Sequence, residues 1–99
     1  MAKTKLFSNI EIEEAARVFK MLSETSRLKI IKVLNEKESC VQTISEKTGL
    51  QQANVSKQLK ILESAHIIKC RPEGLQRFYR ISDKSVIQIC KMICKSRKD

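Results

Sequence analysis

The sequence predicts a mainly α-helical protein with five helices and one two-stranded β-hairpin, in the order ααααββα. Three observations predict this class. Apolar residues recur at helical spacing in four successive segments and again near the C-terminus, a glycine separates two of those segments, and a period of two replaces the helical period between residues 67 and 81. The length of 99 residues is typical of one domain, so we expect a single domain over residues 1–99.

The first two helices are predicted from their caps and from one apolar face each. Asn9 is placed to cap the first helix, because the acidic turn that follows matches the positive end of a helix dipole. Ser23 is placed to cap the second helix, which runs from Glu24 to about Asn35. The apolar faces contain Ile12, Ala15, Ala16, Phe19 and Leu22 in the first helix, and Leu28, Ile31 and Leu34 in the second.

Two short helical segments follow, with a glycine between them. Ser39 and Gln42 have the spacing of a capping box, which predicts a short third helix through Ile44. Gly49 ends this segment, because a helix terminus often needs a left-handed backbone. Gln51 begins a fourth helix, whose apolar positions are Val55, Leu59 and Leu62.

A hairpin and a last helix complete the chain. Residues 67–71 and 77–81 alternate as strands do, and the tip between them contains proline and glycine. Asp83 or Ser82 caps the last helix, which carries an apolar stripe and ends in a basic tail. Two short helices joined by a tight glycine turn and followed by a hairpin form a winged helix-turn-helix, in which the hairpin is the wing.

The charge of the chain indicates a polyanionic partner. Lysine and arginine total 20 against 11 acidic residues, which gives a net charge of +9. Nucleic acid is the leading partner class, ahead of an anionic membrane surface or an acidic protein. No apolar run approaches the roughly 20 residues that span a bilayer, and the N-terminus lacks a signal-peptide core. We therefore expect a cytoplasmic protein with reduced cysteines.

The fourth helix has the composition of a DNA reader. A helix-turn-helix inserts its second helix into the major groove, N-terminal end first. No carboxylate occurs between Gly49 and Glu63, and asparagine and glutamine can pair with adenine edges while lysine suits phosphates. A merely solvated polar face is the alternative. The expected DNA-binding residues are Gln51, Gln52, Ala53, Asn54, Ser56, Lys57 and Lys60 in this segment, and Arg71, Gln76 and Arg77 in the wing.

Three stretches resemble the ArsR/SmtB family of winged-helix repressors. Residues 19–31 resemble the family's "ALADPTRLRIL", residues 49–62 resemble "GLSQSTVSHHLKxL", and residues 73–81 resemble the wing pattern "EGRxxxYRL". The resemblance implies a homodimer, joined through the first and last helices, that binds a palindromic operator in double-stranded DNA and represses transcription. It also implies that an inducer, often a metal ion, releases the DNA.

The family's metal-binding motifs are incomplete in this chain. In the thiol motif "ELCVCDL", Cys40 stands at the first cysteine but Gln42 replaces the second. In the motif of the last helix, Asp83 is present but no histidine follows it. We expect no complete metal site, because a soft metal needs about three or four thiolate or imidazole ligands. His66 is instead read as a left-handed residue at the end of the fourth helix.

The candidate sensor thiols are Cys40, Cys90 and Cys94. Cys90 and Cys94 share a face of the last helix, and Cys40 begins a helix, where a thiol can become reactive. Packing, redox or sulfur sensing, and a soft metal ion bound by cysteine all remain open for them, whereas Cys70 is read as structural.

Two other functions are weighed against a sensing repressor. They are a winged-helix regulator without any sensor, and a winged-helix module that binds protein or RNA. An enzyme is not expected, because the sequence has no Ser/His/Asp set and no glycine-rich phosphate loop.

Overall fold

A computed structural model describes residues 7–97 of the chain. The order of elements confirms the predicted arrangement and adds a short strand before the third helix. The elements are α1 Asn9–Met21, α2 Thr25–Glu36, β1 Ser39–Cys40, α3 Val41–Thr48, α4 Gln52–Ser64, β2 Ile68–Glu73, β3 Gln76–Ile81 and α5 Lys84–Ser96. No helix within residues 7–97 is both long and apolar enough to cross a bilayer.

The sheet has three antiparallel strands in the order β1-β3-β2, so the wing is not an isolated hairpin. Ser39 lies opposite Tyr79, and Cys40 lies opposite Phe78. The predicted capping box at Ser39 is therefore wrong. Ser39 belongs to strand β1 and its hydroxyl donates to the carbonyl of Lys37 at 2.8 Å, while Cys40 stands at the N-cap of α3 without a side-chain cap.

The caps of α1 and α2 also differ from the prediction. Ser8, rather than Asn9, caps α1: its Oγ accepts from the backbone N–H of Glu11 at 3.1 Å, and the Glu11 carboxylate accepts from the N–H of Ser8 at 2.9 Å. This reciprocal pair is a true capping box, which satisfies two free N–H groups at once. Glu24, rather than Ser23, is the N-cap of α2, because the Ser23 hydroxyl donates back to the Lys20 carbonyl at 2.7 Å.

The predicted helix and strand ends are partly confirmed. Helix α3 continues past Ile44 to Thr48 and ends, as predicted, at Gly49 with φ +79°. His66 adopts φ +64°, as expected for a left-handed residue after α4, and Asp83 caps α5. The hairpin tip is shorter than predicted, because β2 extends to Glu73 and β3 begins at Gln76.

The core is aliphatic and lies between α2, α3, α4, the sheet and the start of α5. Its buried residues are Ile30, Ile31, Val33, Leu34, Ile44, Val55, Leu59, Leu62, Ala65, Ile67, Ile68 and Val86. Helix α1 contributes no buried residue. It is attached partly through Arg17, whose guanidinium donates to the Ala65 carbonyl at 2.8 Å. The apolar faces of α1 and α5 therefore stay largely uncovered in one chain.

Candidate nucleic-acid interface

The turn between α3 and α4 is held by side chains of α3. The Ser45 hydroxyl donates to the Leu50 carbonyl at 2.5 Å, and the Leu50 N–H donates to the Thr48 hydroxyl at 3.2 Å. The same Thr48 hydroxyl donates to the Ile44 carbonyl at 2.7 Å. Because these bonds satisfy the polar groups of a three-residue connection, α4 is held at a fixed angle to α3.

The outer face of α4 is polar, basic and open to solvent. No acidic residue occurs in α4 before Glu63. Gln51 is the N-cap and makes no side-chain capping bond to the helix, so no capping side chain covers the positive end of the helix dipole. Of the predicted DNA-binding residues, Gln51, Gln52, Ala53, Ser56, Lys57 and Lys60 are exposed, and Asn54 is half-buried.

A hydrogen-bonded network of three side chains, Arg27, Gln58 and Asn54, lies behind this face. The Arg27 guanidinium donates to the Met21 carbonyl at 2.7 Å and to Oε1 of Gln58 at 3.0 Å. The Nε2 of Gln58 donates in turn to Oδ1 of Asn54 at 3.1 Å. Gln58 is only 5% exposed, and Arg27 also pairs with Glu24 at 3.2 Å. This network connects the end of α1 to the first turn of α4.

The sequence analysis missed Gln58. One signal was available in the sequence: a polar residue stands three positions after Val55 and directly before Leu59, on the inner side of α4. Its partner Arg27 lies 31 positions away, so no local pattern could identify the contact.

The wing is braced by Arg71. Its guanidinium binds both carboxylate oxygens of Glu38, at 2.8 and 3.0 Å, and donates to Glu73 at 2.5 Å. It also lies over the ring of Phe78, 5.2 Å from the centroid. The Arg71 hydrogen bonds hold the pKa of Glu38 below its ordinary value. Two carboxylates therefore already face this predicted DNA contact.

The other predicted wing residues, Gln76 and Arg77, are exposed on strand β3. Arg77 lies opposite Pro72, and its Nη1 donates to the Sγ of Cys70 at 3.4 Å. Gln76 lies opposite Glu73 at the end of the hairpin. Arg77 forms no ion pair among the described residues, so its charge is more available to a phosphate than that of Arg71.

The candidate sensor thiols occupy two separate places. Cys40 is buried, and its Sγ lies 3.4 Å from the hydroxyl of Thr43, a hydrogen bond that lowers the thiol pKa. Cys90 is half-buried, and burial raises its pKa, whereas Cys94 is exposed. Both line an apolar groove of about 550 Å³ between α1, α2 and α5, together with Phe19 and Ile93.

One chain does not supply a metal site within residues 7–97. No group of three or more histidine, cysteine, aspartate or glutamate side chains lies close enough together there to hold an ion. Cys40, the one cysteine that matches the family's thiol motif, has Thr43 as its side-chain partner. The side chains present therefore do not fit a complete metal site in a single chain.

Comparison with known proteins identifies the family. Residues 24–69 match the family described as bacterial regulatory protein, arsR family. An uncharacterized HTH-type transcriptional regulator of Methanocaldococcus jannaschii is 40% identical over 82 residues, which cover 82% of this chain and 92% of that protein. In seven further relatives, the chain spans from 36% to 67% of the relative's length.

Solved structures show the same fold. The homodimeric winged helix-turn-helix DNA-binding domain of a possible ArsR-family regulator from Mycobacterium bovis superimposes with a TM-score of 0.80 at 28% identity, over 97% of this chain and 89% of that one. The transcriptional repressor BigR of Xylella fastidiosa superimposes with a TM-score of 0.82 at 26% identity, over 94% of this chain and 99% of that one. The chain thus belongs to the arsR family of winged helix-turn-helix transcriptional regulators.

Proposed function

We propose that two copies of this chain bind a palindromic operator in the cytoplasm and repress transcription until an inducer releases the DNA. The observation that carries the proposal is the exposed face of α4, which has no acidic residue before Glu63, beside a basic wing that Arg71 braces. A chain with a net charge of +9 is also drawn to DNA by counterion release. The M. bovis relative is described as homodimeric and BigR as a repressor, which supports both parts of the proposal.

The proposed contacts divide into base contacts and backbone contacts. Helix α4 enters the major groove by its N-terminal end, so the residues of its first two turns lie nearest the bases. The wing follows the DNA backbone. To bind a phosphate there, Arg71 must first release the carboxylate of Glu38, whereas Arg77 has no ion pair with a described residue to break. The base contacts are Gln52, Ala53, Asn54, Ser56 and Lys57, and the backbone contacts are Gln51, Lys60, Arg71, Gln76 and Arg77.

The proposed dimer covers the apolar faces of α1 and α5. Phe19 is 55% exposed and Ile93 is 54% exposed, and both line the same groove. A two-fold interface places the same surface on both copies, so each groove would be covered by the partner's helices. The wing and α4 lie outside that groove, which leaves both DNA-binding units free.

DNA titration tests the proposal. The protein is titrated with a duplex selected from a random library and with a shuffled duplex, at two salt concentrations. We expect tighter binding to the selected duplex and a steep loss of affinity at higher salt. Equal affinity for both duplexes, or affinity independent of salt, would refute it.

The inducer is tested separately on the same duplex. We propose that it acts on the thiols of Cys40, Cys90 and Cys94, with a soft metal ion shared between two copies as the alternative. The reduced, oxidised, persulfide-treated and metal-loaded proteins are compared, followed by single replacements of each cysteine by serine. Oxidation, persulfide treatment or metal loading should weaken DNA binding relative to the reduced protein. If all four preparations bind alike, the thiol and metal hypotheses fail together, which favours a regulator without a sensor.

A further inference from the structure

The hydrogen-bonded network of Arg27, Gln58 and Asn54 fixes the orientation of two side-chain amides. A guanidinium has only donors, so the Gln58 atom that faces Arg27 at 3.0 Å must be the acceptor Oε1. The other end of the Gln58 amide is then the donor Nε2, and the Asn54 atom that it meets at 3.1 Å must be the acceptor Oδ1. The donor-only character of Arg27 thus determines which end of Asn54 is used inside the protein.

The remaining end of Asn54 is its amino group, and it reaches solvent. Nδ2 makes no hydrogen bond among residues 7–97, and no buried side-chain nitrogen or oxygen in that part of the chain lacks a partner. Nδ2 is therefore not buried. Asn54 is the third residue of α4, within the turn that enters the groove first.

We propose that Gln58 is a specificity-determining positioning residue, which makes Asn54 a donor-only reader of the base that it faces. This inference rests on the proposed function, because it assumes that α4 reads base edges. A free asparagine pairs with adenine through one donor and one acceptor, but the Oδ1 of Asn54 is directed inward to Gln58, so only Nδ2 is presented to a base. Guanine offers two acceptors and thymine one, whereas cytosine offers only a donor. Adenine offers one acceptor, N7, beside a donor amino group that Nδ2 cannot satisfy. Guanine or thymine is therefore preferred at this position, and cytosine, which offers no acceptor, is the least favoured base.

Gln58→Glu tests the inference without touching the contact residue. A carboxylate at position 58 keeps the bond from Arg27 but can only accept, so the Asn54 amide must turn and donate its Nδ2 inward. Its Oδ1 then faces the DNA and prefers the amino groups of cytosine and adenine. Base preference is measured at pH 8, by competition among duplexes that vary one position at a time. We expect wild type to prefer guanine or thymine over cytosine at one position by at least about fivefold, and the variant to reverse this order.

Two controls separate this effect from charge and from misfolding. Gln88→Glu makes the same charge change on an exposed residue of α5 outside the groove, and it should leave the base order unchanged. Asn54→Asp keeps Gln58 in place and presents only acceptors, so it should also favour cytosine or adenine at the same position. If thermal unfolding shows that Gln58→Glu does not fold, the decision rests on Gln58→Met, which removes the bond to Oδ1 of Asn54 and should raise the preference for adenine at that position.

The outcomes separate this inference from the proposed function. If wild type shows no base preference at any position, the proposed function fails. If wild type has a preferred sequence but the folded variants keep the wild-type base order, or if wild type itself selects adenine at the position sensitive to Asn54, only the role of Gln58 is overturned.

Discussion

Replacing Ile93 with alanine should weaken dimerisation by an amount that follows from its exposure. Ile93 is 54% exposed in one chain and lines the apolar groove between α1, α2 and α5. Full burial of such a side chain contributes about 1.5–3 kcal/mol, so covering the exposed half contributes about 0.8–1.6 kcal/mol in each copy. Two copies contribute about 1.6–3.2 kcal/mol in total, and Ile93→Ala should therefore raise the dimer Kd about 15- to 200-fold.

Sedimentation velocity over a range of protein concentrations measures this shift. The matched control is Leu75→Ala, which removes the same number of atoms from a side chain that is fully exposed at the hairpin tip. The control should leave the dimer Kd unchanged. An equal shift in both variants, or no shift in Ile93→Ala, would refute the assignment of the groove to the dimer interface.

Three further predictions concern single substitutions. Lys60→Ala should reduce the slope of log affinity against log salt by about 0.9, because one fewer phosphate is neutralised. Gly49→Ala should lower the free energy of unfolding by about 1–2 kcal/mol, measured by urea denaturation, because φ is +79° there. Glu38→Gln should make the protein less stable than wild type above the ordinary glutamate pKa of 4.5, because Arg71 then loses one of its two ion pairs and keeps only that with Glu73. That difference should disappear as the pH falls through the lowered pKa of Glu38, where the wild-type carboxylate is protonated as well.

Each of these predictions has a control and a contrary result. Lys20→Ala removes the same charge from α1 and should reduce the salt slope less than Lys60→Ala does. An equal reduction in both variants would argue against a specific phosphate contact of Lys60. Gly49→Asn should cost less than Gly49→Ala, because asparagine tolerates a left-handed backbone, and the reverse order would contradict the argument. A Glu38→Gln deficit that is independent of pH would show that the carboxylate charge does not matter.

The sequence predicted those parts of the fold that depend on contacts between near neighbours. Helix α4 was predictable because Val55, Leu59 and Leu62 repeat at helical spacing and all three are buried. Gly49 was predictable because few residues other than glycine adopt its backbone conformation freely. Strand β1 was not, because two residues carry no periodicity and their pairing partners, in β3, lie far along the chain.

The exposed residues of the candidate site were predictable from the sequence, but the side-chain contacts that hold them in place were not. The exposed positions of α4 are those that lie outside its apolar stripe, so the helical spacing identifies them. The ion pair of Arg71 with Glu38 joins residues 33 positions apart, and the bond of Arg27 with Gln58 spans 31. Charge and polarity identify such residues, but only the folded chain shows which partner each one meets.

The placement of Cys40 in β1 has a kinetic consequence. The residue is only 9% exposed, and its backbone is paired with Phe78 at the junction of the wing and α3. A reagent in solution reaches the thiol only when this junction opens. Such local opening has its own equilibrium, separate from global unfolding. If the closed state admits no reagent, the alkylation rate of Cys40 reports how often β1 detaches from β3, and bound DNA should slow it by holding the wing.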